Sequence, residues 1–202
     1  MNIGIIDYGA CNILSVYNSI YRLGKNPKII KSCKDFNFID KIIIPGVGSA
    51  YQSIISLKET EIFYEIKNFY ERKKYIFGIC LGFQIFANKL YEDGLSEGLN
   101  FIDAHVVNLE IKGKFNIGWR QVEIEKNISK IMNLNEISSF YFCHSYYLKF
   151  NNFEEKKFCI GKTTDIMDIP SIFFKNNLIG CQFHPEKSQK NGEKMIKFFL
   201  DL

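Results

Sequence analysis

Apolar positions along the chain come in two textures. In the first half, three short runs, IGII at 3–6, KIIIPG at 41–46 and YIFGI at 75–79, are apolar almost throughout. The first two lead toward glycine and the third runs straight into Cys80. Strands covered on both faces read this way, because neither face needs polar residues. Between them the period changes. Ile13, Val16, Tyr17, Ile20 and Leu23 recur at helical spacing, and Gly24 stands where a glycine would end that helix. The segments 51–57, 62–70 and 83–90 also read as helical. Strand and helix therefore alternate, which predicts an α/β fold with a central, mostly parallel sheet flanked by helices.

Beyond about Asn100 the pieces are shorter and strand-like, at 106–111, 121–124, 139–143, 158–162, 172–174 and 178–183. A closing helix at 193–202 would bury Met195, Phe198, Phe199 and Leu202. The asparagine- and lysine-rich stretch 149–157 reads as a surface loop. No internal repeat or linker interrupts the 202 residues, a length that suits one domain spanning 1–202.

Hydrophobic residues make up 47% of the chain and charged residues 24%, a balance that excludes a disordered or fibrous class. The net charge of +4 is spread in short clusters such as Arg72, Lys73 and Lys74, which read as a solvated face. A nucleic-acid partner would need a concentrated basic stripe and a motif, so none is expected. There is no apolar stretch of 18 residues, and the chain opens on a strand-like NIGII rather than a basic leader. The expected setting is cytoplasmic, away from membranes. The six cysteines form no CxxC, and His105, His144 and His184 lie far from any ligand spacing. Neither disulfides, a metal site nor a cofactor is therefore expected.

Chemistry concentrates at FGICLGFQ, residues 77–84. A Gly-x-Cys-x-Gly turn between strand and helix permits the sharp bend of a nucleophile elbow, and a helix N-terminus behind Cys80 would favour its thiolate. The alternative is a buried structural cysteine. A base is available at His184, which follows another apolar strand. Pro185 favours an extended backbone at His184, and Glu186, two residues on, can then reach the imidazole from the same side. Sulfur, imidazole and carboxylate in that order form a Cys-His-Glu triad. The loop after KIIIPGVG could offer backbone N–H groups to an oxyanion, as could that of Leu81, although it also reads as a plain glycine turn.

The segments DYGACN (7–12), PGVGSA (45–50), GICLGFQ (78–84), FYFCHSYY (140–147) and GCQFHPEKS (180–188) together resemble the class I, triad-type glutamine amidotransferases from end to end. Within that family the chain is similar to the glutaminase subunits that serve a (β/α)8-barrel cyclase in histidine biosynthesis. The resemblance implies a flavodoxin-like fold and hydrolysis of L-glutamine to glutamate and ammonia by Cys80, His184 and Glu186. It implies an oxyanion site at Val47, Gly48 and Leu81, and glutamine binding by Gln84, Glu92, His144, Ser145 and Tyr146. It further implies a heterodimer with the cyclase subunit, into which ammonia passes, with Asn12, Trp119, Tyr141 and Lys187 at the interface. An exposed apolar patch is then expected around the active-site mouth.

Two stretches depart from the family pattern. Phe115, Asn116, Ile117, Gly118, Trp119 and Arg120 stand where Pro-His-x-Gly-Trp-Asn is usual, and Cys11 replaces a common glycine. The first departure leaves a paralogue open, one that supplies ammonia to a cyclase-like partner amidinating a surface or flagellar sugar. A stand-alone cysteine hydrolase would turn over without a partner. A non-catalytic subunit would lack a reactive Cys80.

Overall fold

The computed structural model describes all residues except 10, 11, 112, 114 and 164, so Cys11 lies outside the described residues. In chain order the first half contains β1 (Ile3–Ile6), α1 (Ile13–Arg22), β2 (Lys28–Ile30), β3 (Lys41–Ile44), α2 (Ala50–Glu59), α3 (Ile62–Glu71) and β4 (Tyr75–Ile79). One helical turn, α4 (Leu81–Gln84), follows, then β5 (Ala87–Leu90), β6 (Ser96–Glu97), β7 (Ile102–Asn108), β8 (Asn116–Ile124) and α5 (Lys126–Ile131). The chain closes with β9 (Ile137–His144), β10 (Tyr146–Phe150), α6 (Phe153–Lys156), β11 (Cys159–Thr163), β12 (Ile169–Lys175), β13 (Leu178–Cys181) and α7 (Gln189–Asp201).

Nine strands form one sheet in the order β2-β1-β3-β4-β13-β12-β11-β8-β9. The first five are mutually parallel, and the sheet continues antiparallel from β12 to β9. Buried on both faces, the parallel strands need apolar residues at every position. In β3, Ile42 and Ile44 enter the core on one side and Ile43 the core on the other. The first side is covered by α2, α3 and a second sheet of four strands in the order β10-β7-β5-β6; the second side is covered by α1, α5 and α7.

Three expectations fail here. Residues 83–90 are not one helix: α4 stops at Gln84, and β5 begins at Ala87. The carbonyls of Ile85 and Phe86 are taken by the N–H groups of Leu99 (2.7 Å) and Phe101 (2.8 Å), and β5 then pairs with β7. These distant partners outbid a helical apolar pattern. Leu202 is 37% exposed, because α7 ends at Asp201 and instead buries Met195, Ile196, Phe198, Phe199 and Leu200. The stretch 149–157 lies on the surface but holds the end of β10 and all of α6, whose Glu155 is buried and paired with Lys175 at 2.7 Å.

Candidate active site

β4 ends at the carboxyl edge of the sheet, and the chain turns there at Cys80 with φ 52° and ψ −107°. A non-glycine residue rarely holds this conformation, which costs on the order of 1–3 kcal/mol. Two glycines make the turn possible. A Cβ on Gly82 would lie 1.8 Å from the Ile44 carbonyl oxygen, and one on Gly78 would lie 2.6 Å from that of Gly82. The Cys80 N–H donates to the Cys181 carbonyl at 2.7 Å, pinning the elbow to β13. The helix behind the sulfur is only the four-residue α4, so its dipole is small and neighbouring side chains must do most of the stabilising. The Gln182 Nε2 donates to the sulfur at 3.6 Å, and the thiol faces the Cys143 carbonyl at 3.9 Å.

His184 emerges from the end of β13 at the same edge. Its N–H donates to the Tyr141 carbonyl at 2.9 Å, and its neighbour Phe183 stacks on Phe140 with ring centroids 3.9 Å apart. His184 is extended (φ −98°, ψ 96°) as expected before proline, but Pro185–Lys187 then form a 3-10 turn. That turn brings Glu186 Oε1 to 2.8 Å from His184 Nδ1, with both side chains only 2% exposed. The carboxylate thereby fixes Nδ1 as the protonated nitrogen and leaves Nε2, which has no partner at ordinary hydrogen-bond geometry, for the sulfur. Burial opposes a charge on His184. The charge of Cys80 and its hydrogen bonding outweigh that, Glu186 adds to them, and the ring is raised to about 10. The arrangement favours an imidazolium at His184.

The sulfur opens into a cavity of about 230 Å³, below the roughly 300–1,000 Å³ of drug-sized ligand sites and suited to a small metabolite. Val47, Gly48 and Leu81 line it beside the sulfur, Gly48 in a left-handed conformation at φ 97°. Gln84, Glu92, His144, Ser145 and Tyr146 complete the wall together with Cys143. A larger hollow, about 660 Å³ around Tyr91, His105 and Asn151, contains none of these residues. Among the described residues no group of three or more His, Cys, Asp or Glu side chains could hold a metal ion.

Three of the wall side chains are held by hydrogen bonds. The Glu92 carboxylate accepts the Ala50 N–H at 2.7 Å; burial raises its carboxyl, Asp93 adds to this, and the Ala50 bond opposes it. Gln84 Nε2 donates to the Tyr146 carbonyl at 2.7 Å, and the same carbonyl accepts from His144 Nδ1 at 2.8 Å. His144 Nε2 in turn accepts from Asn116 Nδ2 at 3.0 Å. Burial pushes His144 down to about 4, against the Tyr146 bond and helped by the charges of His184 and Arg120, so the ring is neutral.

The departure at 115–120 acquires a role in this wall. The Arg120 Nε donates to Asn116 Oδ1 at 2.9 Å, and its two outer nitrogens donate to the carbonyls of Trp119 (2.9 Å) and Ile117 (3.2 Å). Arginine can only donate, so Asn116 must turn its oxygen to Arg120 and its amide to His144, which sets the His144 tautomer. Sequence reasoning missed Asn116, Arg120 and Gln182 as site residues. Gln182 alone carried a signal, as a polar side chain inside an apolar strand next to His184.

The four interface candidates are at the surface. Trp119 on β8 and Tyr141 on β9 are cross-strand partners with ring centroids 6.1 Å apart, and Lys187 Nζ sits 5.8 Å from the Tyr141 ring centre. Asn12, exposed at the start of α1, accepts from Ser15 Oγ at 2.9 Å. Phe115 (64% exposed), Ile117 (55%) and Trp119 (45%) extend an apolar patch along β8, and the exposed Cys143 on β9 joins it to the cavity.

A cysteine on a strained strand-to-helix turn, backed by a histidine–carboxylate pair at the carboxyl edge of a doubly wound sheet, defines a cysteine-dependent α/β hydrolytic site. The model of the glutamine amidotransferase class-I family matches residues 4–202, and the chain belongs to that family. The chain is 37% identical over 201 residues to the imidazole glycerol phosphate synthase subunit HisH of Caldanaerobacter subterraneus subsp. tengcongensis, covering 99% of this chain and 98% of that one. It is 36% identical to subunit HisH 1 of Campylobacter jejuni, over 99% and 100% of the two chains. Among solved structures, PurLQS of Thermotoga maritima matches with a TM-score of 0.76 at 18% identity, over 99% of this chain and 97% of that one. This last likeness concerns the fold.

Proposed function

We propose that the chain is the glutaminase subunit of an imidazole glycerol phosphate synthase. It hydrolyses L-glutamine and passes ammonia to a (β/α)8-barrel cyclase subunit that forms imidazole glycerol phosphate and AICAR. One observation carries the reading: the strained Cys80 opens into a cavity whose walls include all eight residues expected to bind glutamine and its oxyanion, with the His184–Glu186 pair behind it.

The reaction follows from the geometry of the triad and the charge on His184. The Cys80 thiolate attacks the side-chain amide carbonyl, and the oxyanion takes N–H donors from Leu81 and from the Val47–Gly48 backbone. The His184 imidazolium gives its proton to the nitrogen as the C–N bond breaks and ammonia leaves. The sulfur is now an uncharged thioester, so the largest influence that raised His184 is gone and burial lowers the ring. The neutral imidazole takes a proton from water, whose hydroxyl attacks the thioester. Glutamate leaves and the thiolate–imidazolium pair is restored. Glu186 holds the ring throughout.

Cys80→Ala tests this. Glutamate production from glutamine, measured with the cyclase partner present, should vanish while circular dichroism and partner docking stay intact; retained activity refutes the mechanism. The sugar-amidinating paralogue is the second reading, drawn from the departure at 115–120. Asn116 is buried and Arg120 turns inward onto it, so the change to the exposed face is confined to Phe115, which favours the first reading. The protein that co-purifies with the chain separates the two.

A further inference from the structure

Gln182 is fully buried where β13 ends, between Cys181 and Phe183, which are fully buried as well. A side-chain amide in such surroundings destabilises the fold unless both its ends find partners. Both do. Its Oε1 accepts from Gln84 Nε2 at 3.2 Å, and its Nε2 donates to the Cys80 sulfur at 3.6 Å. The direction of this chain is forced. The Tyr146 carbonyl can only accept, so Gln84 presents its Nε2 there, at 2.7 Å. The same NH₂ group then meets Gln182, which must answer with its oxygen and is left aiming its own NH₂ at the sulfur.

We propose that Gln182 is a further catalytic residue, the second donor to the Cys80 sulfur beside His184, and that Gln84 is the positioning residue that orients it. This rests on the reading of Cys80 as the nucleophile. A donor strengthens its bond when the acceptor becomes an anion, so the amide stabilises the thiolate over the thiol. It acts twice in the cycle: before attack, and again when the acyl group departs and the sulfur regains its charge. No proton moves to or from Gln182, and it serves only to hold charge.

The test is alkylation of the whole chain by iodoacetamide between pH 5 and pH 10, read at Cys80 by peptide mass spectrometry. The exposed Cys143 in the same digest serves as the control. Gln182→Met keeps the length of the side chain and removes the donor. The rate at Cys80 near pH 7 should fall about tenfold, with the profile displaced to higher pH and Cys143 unchanged. Gln182→Glu keeps the shape and sets an anion against the sulfur, so the loss should be larger; it supplies the same reading if the Met variant does not fold. Cys80 profiles superimposable on the wild type in the folded variants overturn the proposal. Iodoacetamide reports on the sulfur without glutamine, so that result would leave the glutaminase reading to stand or fall on Cys80→Ala.

Discussion

His144 is a buried, neutral imidazole in the cavity wall, and this gives the protein a specific acid sensitivity. Its ordinary value is 6.5 and its folded value about 4, so between those limits the unfolded chain takes up a proton that the native state refuses. A depressed folded value means stability present above the unfolded value and lost as pH falls through the window. The linkage amounts to roughly 2 kcal/mol at pH 5 against a few tenths at pH 7. His144→Gln substitutes an amide that cannot be protonated. Urea unfolding at pH 7 and at pH 5 should therefore show the wild type losing about 2 kcal/mol more than the variant over that interval, whatever their difference at pH 7. His184 is shifted the other way: its stabilisation is full below 6.5 and is lost as pH rises toward 10, so it is common to both proteins in the acid window. Equal losses in the two proteins would show that His144 is protonated in the folded state or solvated, and the account of the wall would be wrong.

Three further outcomes test other parts of the structure. Arg120→Met and Asn116→Ala each strand a buried acceptor, at about 1–3 kcal/mol apiece, and because they strand members of one chain the double variant should fall short of their sum by about 1 kcal/mol in chemical denaturation; strict additivity would break the Arg120–Asn116–His144 link. Gly82→Ala drives a Cβ into the Ile44 carbonyl at 1.8 Å, so α4 and β3 must part, and the melting temperature should drop by roughly 6–12 °C for a loss of about 3 kcal/mol or more. A wild-type melting temperature there would mean the elbow is looser than drawn. Trp119→Ala, on an exposed face, should leave the melting temperature within about a degree or two yet weaken binding to the cyclase partner by about tenfold or more in calorimetry; unchanged affinity would move the docking surface elsewhere.

Much of this architecture was legible because it is written in local chemistry. The runs at 3–6, 41–46 and 75–79 are strands because their isoleucines feed two cores at once, and the glycines around Cys80 mark a backbone approach that any side chain would block. The failures share the opposite cause. Residues 85–90 have an apolar pattern that suits a helix, and what makes Ala87–Leu90 a strand is pairing with β7 and the hydrogen bonds of Leu99 and Phe101. No local window contains those partners. Asn116 and Arg120 likewise look like surface residues in a stretch otherwise read through Trp119, and only the fold reveals that they face His144 across the β8–β9 ladder, where Asn116 and His144 are directly paired. Glu186 was placed correctly for a reason only half right: extended backbone accounts for His184, but the 3-10 turn at Pro185–Lys187 closes the pair.

β9 explains how a partner on the surface could reach a buried triad. It is the last strand of the nine-stranded sheet, and its outward side chains Tyr141 and Cys143 belong to the proposed docking face. Its backbone meanwhile holds the proposed catalytic groups: the Tyr141 carbonyl accepts the His184 N–H at 2.9 Å, the Tyr141 N–H donates to Ser188 Oγ at 2.9 Å, and the Cys143 carbonyl faces the Cys80 thiol at 3.9 Å. Ser188 in turn donates to the His184 carbonyl at 2.6 Å. Among the described residues no further strand pairs with the outer edge of β9, which is held there by His184, Ser188 and Asn191 alone, so pressure on Tyr141 and Trp119 is passed by fractions of an ångström to those residues. Such a shift moves imidazole and thiol relative to each other, and near-attack geometry is sensitive at that scale. A glutaminase that releases ammonia only when docked would require a link of this kind, and β9 touches both the proposed docking face and His184.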